Sequence, residues 1–469
     1  MAERPPDMSH AEHFNLAASD MLADPLADDT MAAIIGAWPV ADSHLDTAAL
    51  GRIGLVNRLM ASWETNSSLR NWQAPEGTDP IVAQSLQAYL RQGAELPAWA
   101  DRAKVERSEN IFIENGPLSC TLLFCASLPE CYVLPNLADV LHIAGQLEAH
   151  TEHRIRQTAA MIFPVMLRGG LMADDGYGLA QILKVRLIHA TIRHLILRGS
   201  PQDAHGVVIA IRTNSQPRGM HDALMRHGWD VHRQGLPCNQ SELAYTLLTF
   251  GYVFLRGLRT LGQGLSSEDE QAYLHTWNVM GHVLSIQSHL LASSMEEAKT
   301  MFTAMQEKGR KHVAQPDVRP ALGQALVNTM ARSLVLPGIA RLPVPMTQWL
   351  VGEQTARDIG LAQPADWFTR CIFVMLMSLV RGVDAVGRIF SKKFSISRFI
   401  TRILGYHLIT KLLMDQTRPL ALPDQVLKNL HHTVAQFGHD TKAHDWLNRL
   451  EDRYTTTGLW SPEKSSTIR

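Results

Sequence analysis

The sequence lacks any cysteine pattern that would define a disulfide framework or a structural zinc site. The cysteines are odd in number, and no two of them form a C-x-x-C pair. Their five positions are Cys120, Cys125, Cys131, Cys238 and Cys371. We therefore expect an ordinary apolar core to hold the fold together, and covalent attachment of a prosthetic group through C-x-x-C-H is excluded.

A membrane-spanning run and a secretion signal are also missing. The longest apolar run, at 371–380, has ten residues and predicts a buried core helix, because it is about half the length that crosses a bilayer. The N-terminus has no basic region followed by an apolar stretch. We expect no transmembrane segment, and a cytoplasmic protein for the chain as written or a secreted one if the chain is a mature form.

An excess of charge of one sign is absent as well. Lysine and arginine number 44 and aspartate and glutamate 45, which gives a net charge of −1 at pH 7. Without a basic field, the chain is not expected to bind nucleic acid. The motifs H-E-x-x-H, G-x-S-x-G, G-x-x-x-x-G-K and G-x-G-x-x-G are missing, which argues against the usual zinc proteases, serine hydrolases and nucleotide-binding enzymes.

What is present is a helical pattern. Hydrophobic residues make up 46% of the sequence and charged residues 19%, as in globular proteins. Apolar residues recur three and four positions apart, with Gly and Pro at the breaks, so we predict an all-α fold. Only residues 207–211 resemble a strand. The predicted helices cover approximately 136–150, 150–168, 178–198, 241–262, 267–293, 295–308, 319–335, 366–390, 396–416 and 423–437.

The chain contains no repeat and no Gly/Ser linker that would divide it. Both ends are polar. We therefore predict a flexible N-terminal segment over 1–30, a single helical domain over 31–454 and a flexible tail over 455–469.

His189 is the most informative residue of the predicted helix 181–198. It lies in the middle of an apolar stripe that Ile182, Val185, Ile192 and Ile196 form at helical spacing. One interpretation is a core histidine bonded to a backbone carbonyl, and the other is a metal or cofactor ligand. His194, on another face of the same helix, is the weaker candidate ligand.

The preceding helix, 150–170, carries a second polar feature. Arg154 and Thr158 lie four residues apart and share one face, ahead of an otherwise apolar stretch. This pair can form a polar corner above a cofactor, or it can belong to a solvated first turn. His150 and His153 lack a third ligand and are weak evidence for a metal site.

Several phrases, in order, resemble the latex clearing protein (rubber oxygenase) family and its relatives, which include the oxygenase of the mycophenolic acid pathway. The phrases are LFCASLPECY at 123–132, the Arg-x-x-x-Thr helix at 154–158, KVRLIHATIRHL at 184–195, GLPCNQSELAYTLLTFGYVFLRGLRTLG at 235–262 and EDEQAYLHTWNVMGHVL at 268–284. The resemblance covers roughly 90–290, with a looser correspondence beyond.

The resemblance implies a globin-like helical core with additional N- and C-terminal helices, holding haem b without a covalent link. His189 matches the proximal iron ligand of the family, and Arg154 and Thr158 match its polar haem-pocket pair. Rubber-cleaving members can carry a lysine between these two residues that caps the iron, whereas this chain has Gln157. A neutral amide is a poor iron ligand, so we expect a pentacoordinate or water-bound resting iron.

The family also uses a carboxylate upstream of the arginine as a proposed catalytic base. Both Asp139 and Glu148 lie in the corresponding stretch. Nothing in the sequence chooses between them, and the role stays unassigned.

The function implied is oxidative cleavage of a carbon–carbon double bond by dioxygen, in an apolar olefin such as a polyisoprenoid, to give an aldehyde and a ketone. Haem-dependent hydroxylation or peroxidation of a lipid-like substrate is an alternative, as is a non-catalytic haem or lipid carrier. The basic and apolar stretch 391–413 either contacts a membrane surface or forms an ordinary packed helix.

Overall fold

The computed structural model describes residues 16–36, 47–145, 151–204, 207–211, 219–313, 316–333, 343–362, 378, 382, 398–400, 402–406 and 443–455. These residues are almost entirely helical, which confirms the all-α prediction. The one sheet among them is a two-stranded antiparallel ribbon, in which Val208 pairs with Asp230 and Ile209 with Trp229.

The N-terminal half runs from α1 to α11 and includes one π-helical segment. Its elements are α1 Leu16–Asp20, α2 Pro25–Ile35, α3 Thr47–Met60, α4 Asn66–Arg70, α5 Pro80–Gly93, α6 Arg102–Glu114, α7 Gly116–Leu122, the π-helix Leu123–Ser127, α8 Leu128–Cys131, α9 Pro135–Gly145, α10 Thr151–Met166 and α11 Gly178–Leu197.

The C-terminal half contains the ribbon and shorter helices. Its elements are a 3-10 turn Pro201–Asp203, β1 Val208–Ile209, α12 Met220–Arg226, β2 Trp229–Asp230, α13 Val231–Gln234, α14 Gln240–Phe250, α15 Tyr252–Thr260, α16 Ser267–Val283, a 3-10 turn Ser288–Leu290, α17 Met295–Arg310, α18 Arg319–Ser333, α19 Pro343–Val351, α20 Glu353–Asp358 and α21 Asp445–Tyr454.

Local sequence explains where many of these helices begin and end. Asp24 caps α2 by accepting a hydrogen bond from the backbone N–H of Ala27, and Pro25 follows at the first helical position. Asn239 and Glu242 form a reciprocal capping box at the start of α14. Such caps satisfy backbone groups that a helix end would otherwise leave without partners.

The core is centred on the continuous helical segment 116–131, in which every side chain is buried. Helices α14, α15 and α19 pack around its π-helical part. Aromatic side chains fill the spaces between them, as where Phe254 stacks on Tyr273 with ring centroids 4.7 Å apart.

No single helix in the described ranges is long and apolar enough to cross a bilayer, although α6 and the segment 116–131, which meet at 88°, reach that length and composition together.

Three observed elements differ from the predicted ones. The helix predicted over 241–262 is broken at Gly251 into α14 and α15, and an added Cβ at Gly251 would lie 3.3 Å from the ring of Trp277. The helix predicted over 267–293 ends at Val283, two residues before Ser285 adopts a φ of +66°. The predicted strand 207–211 is reduced to two residues.

The N-terminal segment also differs from the loose segment predicted over 1–30. From Leu16 onward it is helical, and the buried carboxylates Asp24 and Asp28 pair with Arg186 and Arg193 of α11. Sequence polarity suggested solvent exposure, but each carboxylate meets a buried arginine that was not visible in the linear pattern. The division of the chain into domains stays a prediction.

Of the remaining helices, those predicted over 366–390 and 423–437 lie outside the described residues, apart from the helical residues 378 and 382. Within 396–416, residues 398–400 and 402–406 are helical. The tail predicted over 455–469 lies outside the described residues after Thr455.

Candidate functional site

Helices α10 and α11, which carry the predicted site residues, form an antiparallel pair. The two helices pack against each other and are joined by residues 167–177. Gly178, the first residue of α11, lies so close to α10 that an added Cβ would be 2.7 Å from the Gly170 carbonyl oxygen and 3.2 Å from the Val165 Cα. The absence of a side chain at Gly178 therefore permits the tight closure of this hairpin.

The closure fixes which residues lie side by side along the two helices. Arg154 is eleven residues before Val165, and His189 is eleven residues after Gly178. At the helical rise of 1.5 Å per residue, both lie about 16 Å from the closed end. The backbone of Arg154 is therefore level with His189, and Thr158 lies one turn nearer the hairpin. The Arg154 side chain lies outside the described side chains.

His189 is partly accessible to solvent and yet strongly desolvated. Burial is the first cause that lowers its pKa from 6.5 to about 4, and the positive charge of Arg193 is the second. A side chain with both properties is surrounded by protein atoms on most sides and keeps some contact with solvent. Its imidazole is therefore neutral at physiological pH, with a nitrogen lone pair available to a metal.

The two histidines of α11 have contrasting surroundings. His194 is 1% exposed, and its Nε2 lies 3.1 Å from the backbone oxygen of Asp28. This is the arrangement that a structural core histidine should have. No hydrogen bond from another described residue reaches the His189 imidazole, so the core-histidine interpretation fits His194 and not His189.

The accessible face of α11 around His189 is apolar. Val185, Ile188, His189 and Ile192 follow the spacing i, i+3, i+4, i+7, which places them on one face. Val185 and His189 are half-buried, and Ile188 is 39% exposed. The predicted stripe is thus buried at Ile182, Ile192 and Ile196 and half-buried at Val185 and His189.

Helix α10 carries the predicted polar pair in a set of residues with the same spacing. Arg154, Gln157, Thr158 and Met161 lie at i, i+3, i+4 and i+7. Gln157 is exposed, and Thr158 and Met161 are half-buried. This side of α10 is therefore accessible at Gln157 and partly accessible at Thr158 and Met161.

His189 and its apolar neighbours fit a metal whose other ligands come from a prosthetic group. Among the described residues, no three His, Cys, Asp or Glu side chains cluster closely enough to hold a metal ion by themselves. A haem needs less from the protein, namely one neutral imidazole and apolar walls for a flat ring. His189 offers the first, and Val185, Ile188 and Ile192 offer part of the second.

Of the two candidate catalytic bases, the structure describes only Asp139. Asp139, on α9, is held by His227, with 3.1 Å between Asp139 Oδ2 and His227 Nε2. Glu148 lies outside the described residues, as does His150. Asp139 therefore already has a fixed partner just after the end of α12, and the assignment of a base stays open.

Two buried ion pairs that link the start of α2 to α11 were not predicted from the sequence. Arg193 pairs with Asp28 at 2.8 Å and also donates to the carbonyl oxygens of Pro237 and Cys238. Arg186 makes two hydrogen bonds to the carboxylate of Asp24. The sequence did contain a signal for these ion pairs. Asp24 and Asp28 are four residues apart and Arg186 and Arg193 are seven apart, and both spacings place the two residues on one face of a helix.

A separate cleft of about 450 Å³ opens at the closed end of the hairpin, away from the level of His189. Glu109 lines it and accepts a hydrogen bond at 2.9 Å from the backbone N–H of Gly169. Burial raises the pKa of Glu109 to about 7. Its visible role is to hold the turn that joins α10 to α11.

The family of the chain follows from comparison with known proteins. A sequence profile of the family described as "ER-bound oxygenase mpaB/B'/Rubber oxygenase, catalytic domain" matches residues 131–382, more than half of the chain. The chain belongs to this family. This membership confirms the predicted resemblance and makes the protein an oxygenase.

Two relatives support the assignment of this mpaB/rubber oxygenase chain. A rubber oxygenase from Streptomyces sp. (strain K30) is 22% identical over 315 residues, which are 67% of each protein. The structure of latex clearing protein in its closed state matches 89% of this chain and 90% of its own, with a TM-score of 0.56 and 19% identity. At that identity the structural likeness shows a shared helical fold.

Proposed function

We propose that this oxygenase holds haem b between α10 and α11 and cleaves a carbon–carbon double bond of an apolar olefin, such as a polyisoprenoid. The carrying observation is His189, a neutral, accessible imidazole without a hydrogen-bonding partner among the described residues. The mpaB/rubber oxygenase membership supplies the reaction class. Each carbon of the broken bond would receive one oxygen atom of dioxygen, giving an aldehyde and a ketone.

The bound haem would supply the iron at which dioxygen is activated. His189 would bind that iron, and its low pKa means that no proton competes for the nitrogen near neutral pH. Val185, Ile188 and Ile192 would pack against the ring and exclude water from this side. Thr158 and Arg154, from the facing helix, would orient the reacting molecule.

An absorption spectrum tests the haem proposal directly. Purified His189→Ala should lose or shift the Soret band of the wild type, before and after dithionite reduction and carbon monoxide binding, because the iron loses its protein ligand. His194→Gln is the matched control, since it removes an imidazole from the same helix and keeps a donor for the Asp28 carbonyl. Its spectrum should resemble that of the wild type.

His189→Gly adds a rescue experiment. Free imidazole can occupy the space left by the side chain and should restore the wild-type band to this variant. A His189→Ala protein with an unchanged Soret band would contradict the proximal assignment. Absence of haem from the supplemented wild type would contradict haem dependence altogether.

Product analysis then tests the reaction. Squalene or a polyisoprene emulsion under ¹⁸O-labelled dioxygen should give carbonyl products that carry the label in both fragments. Hydroxylated products would favour the haem-dependent hydroxylase instead. Haem binding without oxygen consumption on any olefin would favour the carrier.

A further inference from the structure

Glu109, on α6, is a buried carboxyl group with only one of its two oxygens bound. The residue is 2% exposed. Oε2 accepts a hydrogen bond from the Gly169 N–H at 2.9 Å, whereas Oε1 has no hydrogen-bonding partner among the described residues. The N–H of the next residue, Gly170, donates to the Leu167 carbonyl oxygen within the turn. An ionised Glu109 in this position therefore lacks most of the hydrogen bonds that water would give it.

The hydrogen bond from Gly169 ties α6 to the turn of the α10–α11 hairpin. Gly169 lies three residues after α10 ends at Met166 and has a φ of +71°. An added Cβ at Gly170 would lie 2.1 Å from the Pro164 carbonyl oxygen. The turn is therefore tightly packed on α10, and a loss of its contact with Glu109 would act directly on the hairpin.

The cleft beside Glu109 offers the side chain a second position. Its volume is about 450 Å³, and it is also lined by Arg102, Glu106 and Arg168. Arg168 is exposed, and no carboxylate of another described residue forms an ion pair with it. A carboxylate that moved from the buried position into the cleft would gain water and the positive charge of Arg168.

The charge state of Glu109 depends on its burial and on its neighbours on α6 and the turn. Burial raises the pKa of Glu109 to about 7, and the hydrogen bond from Gly169 partly offsets this rise. On α6, the negative charge of Glu106 raises the pKa further and the positive charge of Arg102 lowers it. Arg168 faces the same cleft from the turn.

The described helices that pack on α6 direct their acidic and histidine side chains elsewhere. The contacts of α16 are those of Glu268 and Asp269 with Arg107, of Glu270 with Arg259, of His275 with the backbone N–H of Asp101, and of the His275 and His282 rings with Trp99. The second half of α10 and all of α7 contain no acidic or basic side chain. These helices therefore supply no partner for a charged Glu109.

We propose that the charge of Glu109 controls how firmly the α10–α11 turn is held. The neutral carboxyl group stays buried and holds the Gly169 N–H, which is the closed position. The ionised carboxylate leaves Gly169 and enters the cleft beside Arg168, which is the open position, and the turn is released. This inference does not depend on the haem proposal.

The direction of the pH effect follows from the two positions. The pKa of Glu109 is about 7 in the closed position, and its usual value of 4.5 applies in the solvated open position. The closed position therefore binds the proton more tightly. Its advantage is complete below about pH 4.5, declines as the pH rises and is lost above about pH 7. The ratio of open to closed should increase roughly 70-fold between about pH 5 and pH 8.

Amide hydrogen exchange measures the release of the turn. In the wild type, the protection of the Gly169 amide, corrected for the intrinsic effect of pH on exchange, should fall by this factor between the two pH values. Glu109→Gln should stay protected at both, because its side-chain oxygen still accepts a hydrogen bond and cannot ionise. Glu106→Gln is the matched control, since it removes an exposed carboxylate from the same helix and the same cleft. It should show the fall seen in the wild type.

Equal protection of the wild-type turn at both pH values would overturn the proposal, whatever the variants do. A loss of protection in Glu109→Gln as steep as that of the wild type would do the same. Denaturant titrations give a second measurement. The free energy of unfolding of the wild type should fall relative to that of Glu109→Gln as the pH rises, and a difference that stays constant would contradict the proposal.

Discussion

At the scale of single residues, accessibility separates two histidines that look alike in sequence. Both lie on α11, and burial lowers the pKa of each to about 4. His194 is enclosed and bonded to the Asp28 backbone, whereas His189 is half-buried. The apolar stripe in the sequence could identify His189 as facing the core. It could not show how completely other helices bury the side chain, because that depends on tertiary packing.

Gln157 should determine the spin state of the resting iron in the haem-bound form. The wild type should rest with a high-spin or water-bound iron, because a glutamine amide does not ligate iron well. Gln157→Lys should give a low-spin species as the pH rises and the lysine becomes neutral. Electron paramagnetic resonance and optical spectra measure this difference.

Gln157→Arg is the control for that experiment, because a guanidinium stays charged and cannot ligate at any accessible pH. It should keep the wild-type spectrum throughout. A low-spin, two-nitrogen signal in the resting wild type would contradict the expectation.

At the scale of secondary-structure elements, sequence periodicity predicted the site helices well. Helix α11 was expected over 178–198 and spans Gly178–Leu197, and the helix expected over 150–168 is Thr151–Met166. Long amphipathic runs with clear ends allow this. The break at Gly251 was not predicted, because the helical residues on either side of it form one continuous apolar pattern in the sequence.

Gly178 should contribute to the stability of the hairpin that α10 and α11 form. Gly178→Ala should lower the free energy of unfolding by about 1–3 kcal/mol, because its Cβ would meet the backbone of Gly170 and Val165 and force the hairpin apart. Chemical denaturation measures this loss. The proposed haem pocket should change with it, so the Soret band should shift as well.

Gly51 offers a matched control on an exposed face of α3, where an added Cβ would have no neighbour within 4 Å. Gly51→Ala should stabilise the protein by up to about 1 kcal/mol, since alanine favours the helix. Equal effects of the two substitutions would show that the closure at Gly178 is not tight.

At the scale of the whole molecule, the N-terminal helix is part of the core assembly. Asp24 and Asp28 of α2 pair with buried arginines of α11, and the Asp28 backbone also contacts His194. Global unfolding must therefore separate these groups, and the acid sensitivity of the fold depends on the histidines among them.

The haem-free protein should lose stability as the pH falls from 6.5 towards 4. The pKa of His194 is about 4 in the folded state and 6.5 as its usual value, so the unfolded chain binds the proton first and acid favours unfolding. The shift corresponds to about 3 kcal/mol. Denaturant titrations across this range should show a shallower decline for His194→Gln than for the wild type. An identical slope would contradict the assigned burial.

The charges of Arg193 on α11 and Asp24 at the start of α2 affect whether His189 can bind a cation. Arg193 lies one helical turn from His189 and makes protonation of that imidazole harder. A positive metal centre on the same imidazole would meet the same repulsion, and the carboxylate of Asp24, which raises the pKa of His189, offsets it. Packing of α2 against α11 should thus favour cation binding at His189. Cation binding should in turn stabilise that packing to the same extent, because coupling between two such events is reciprocal.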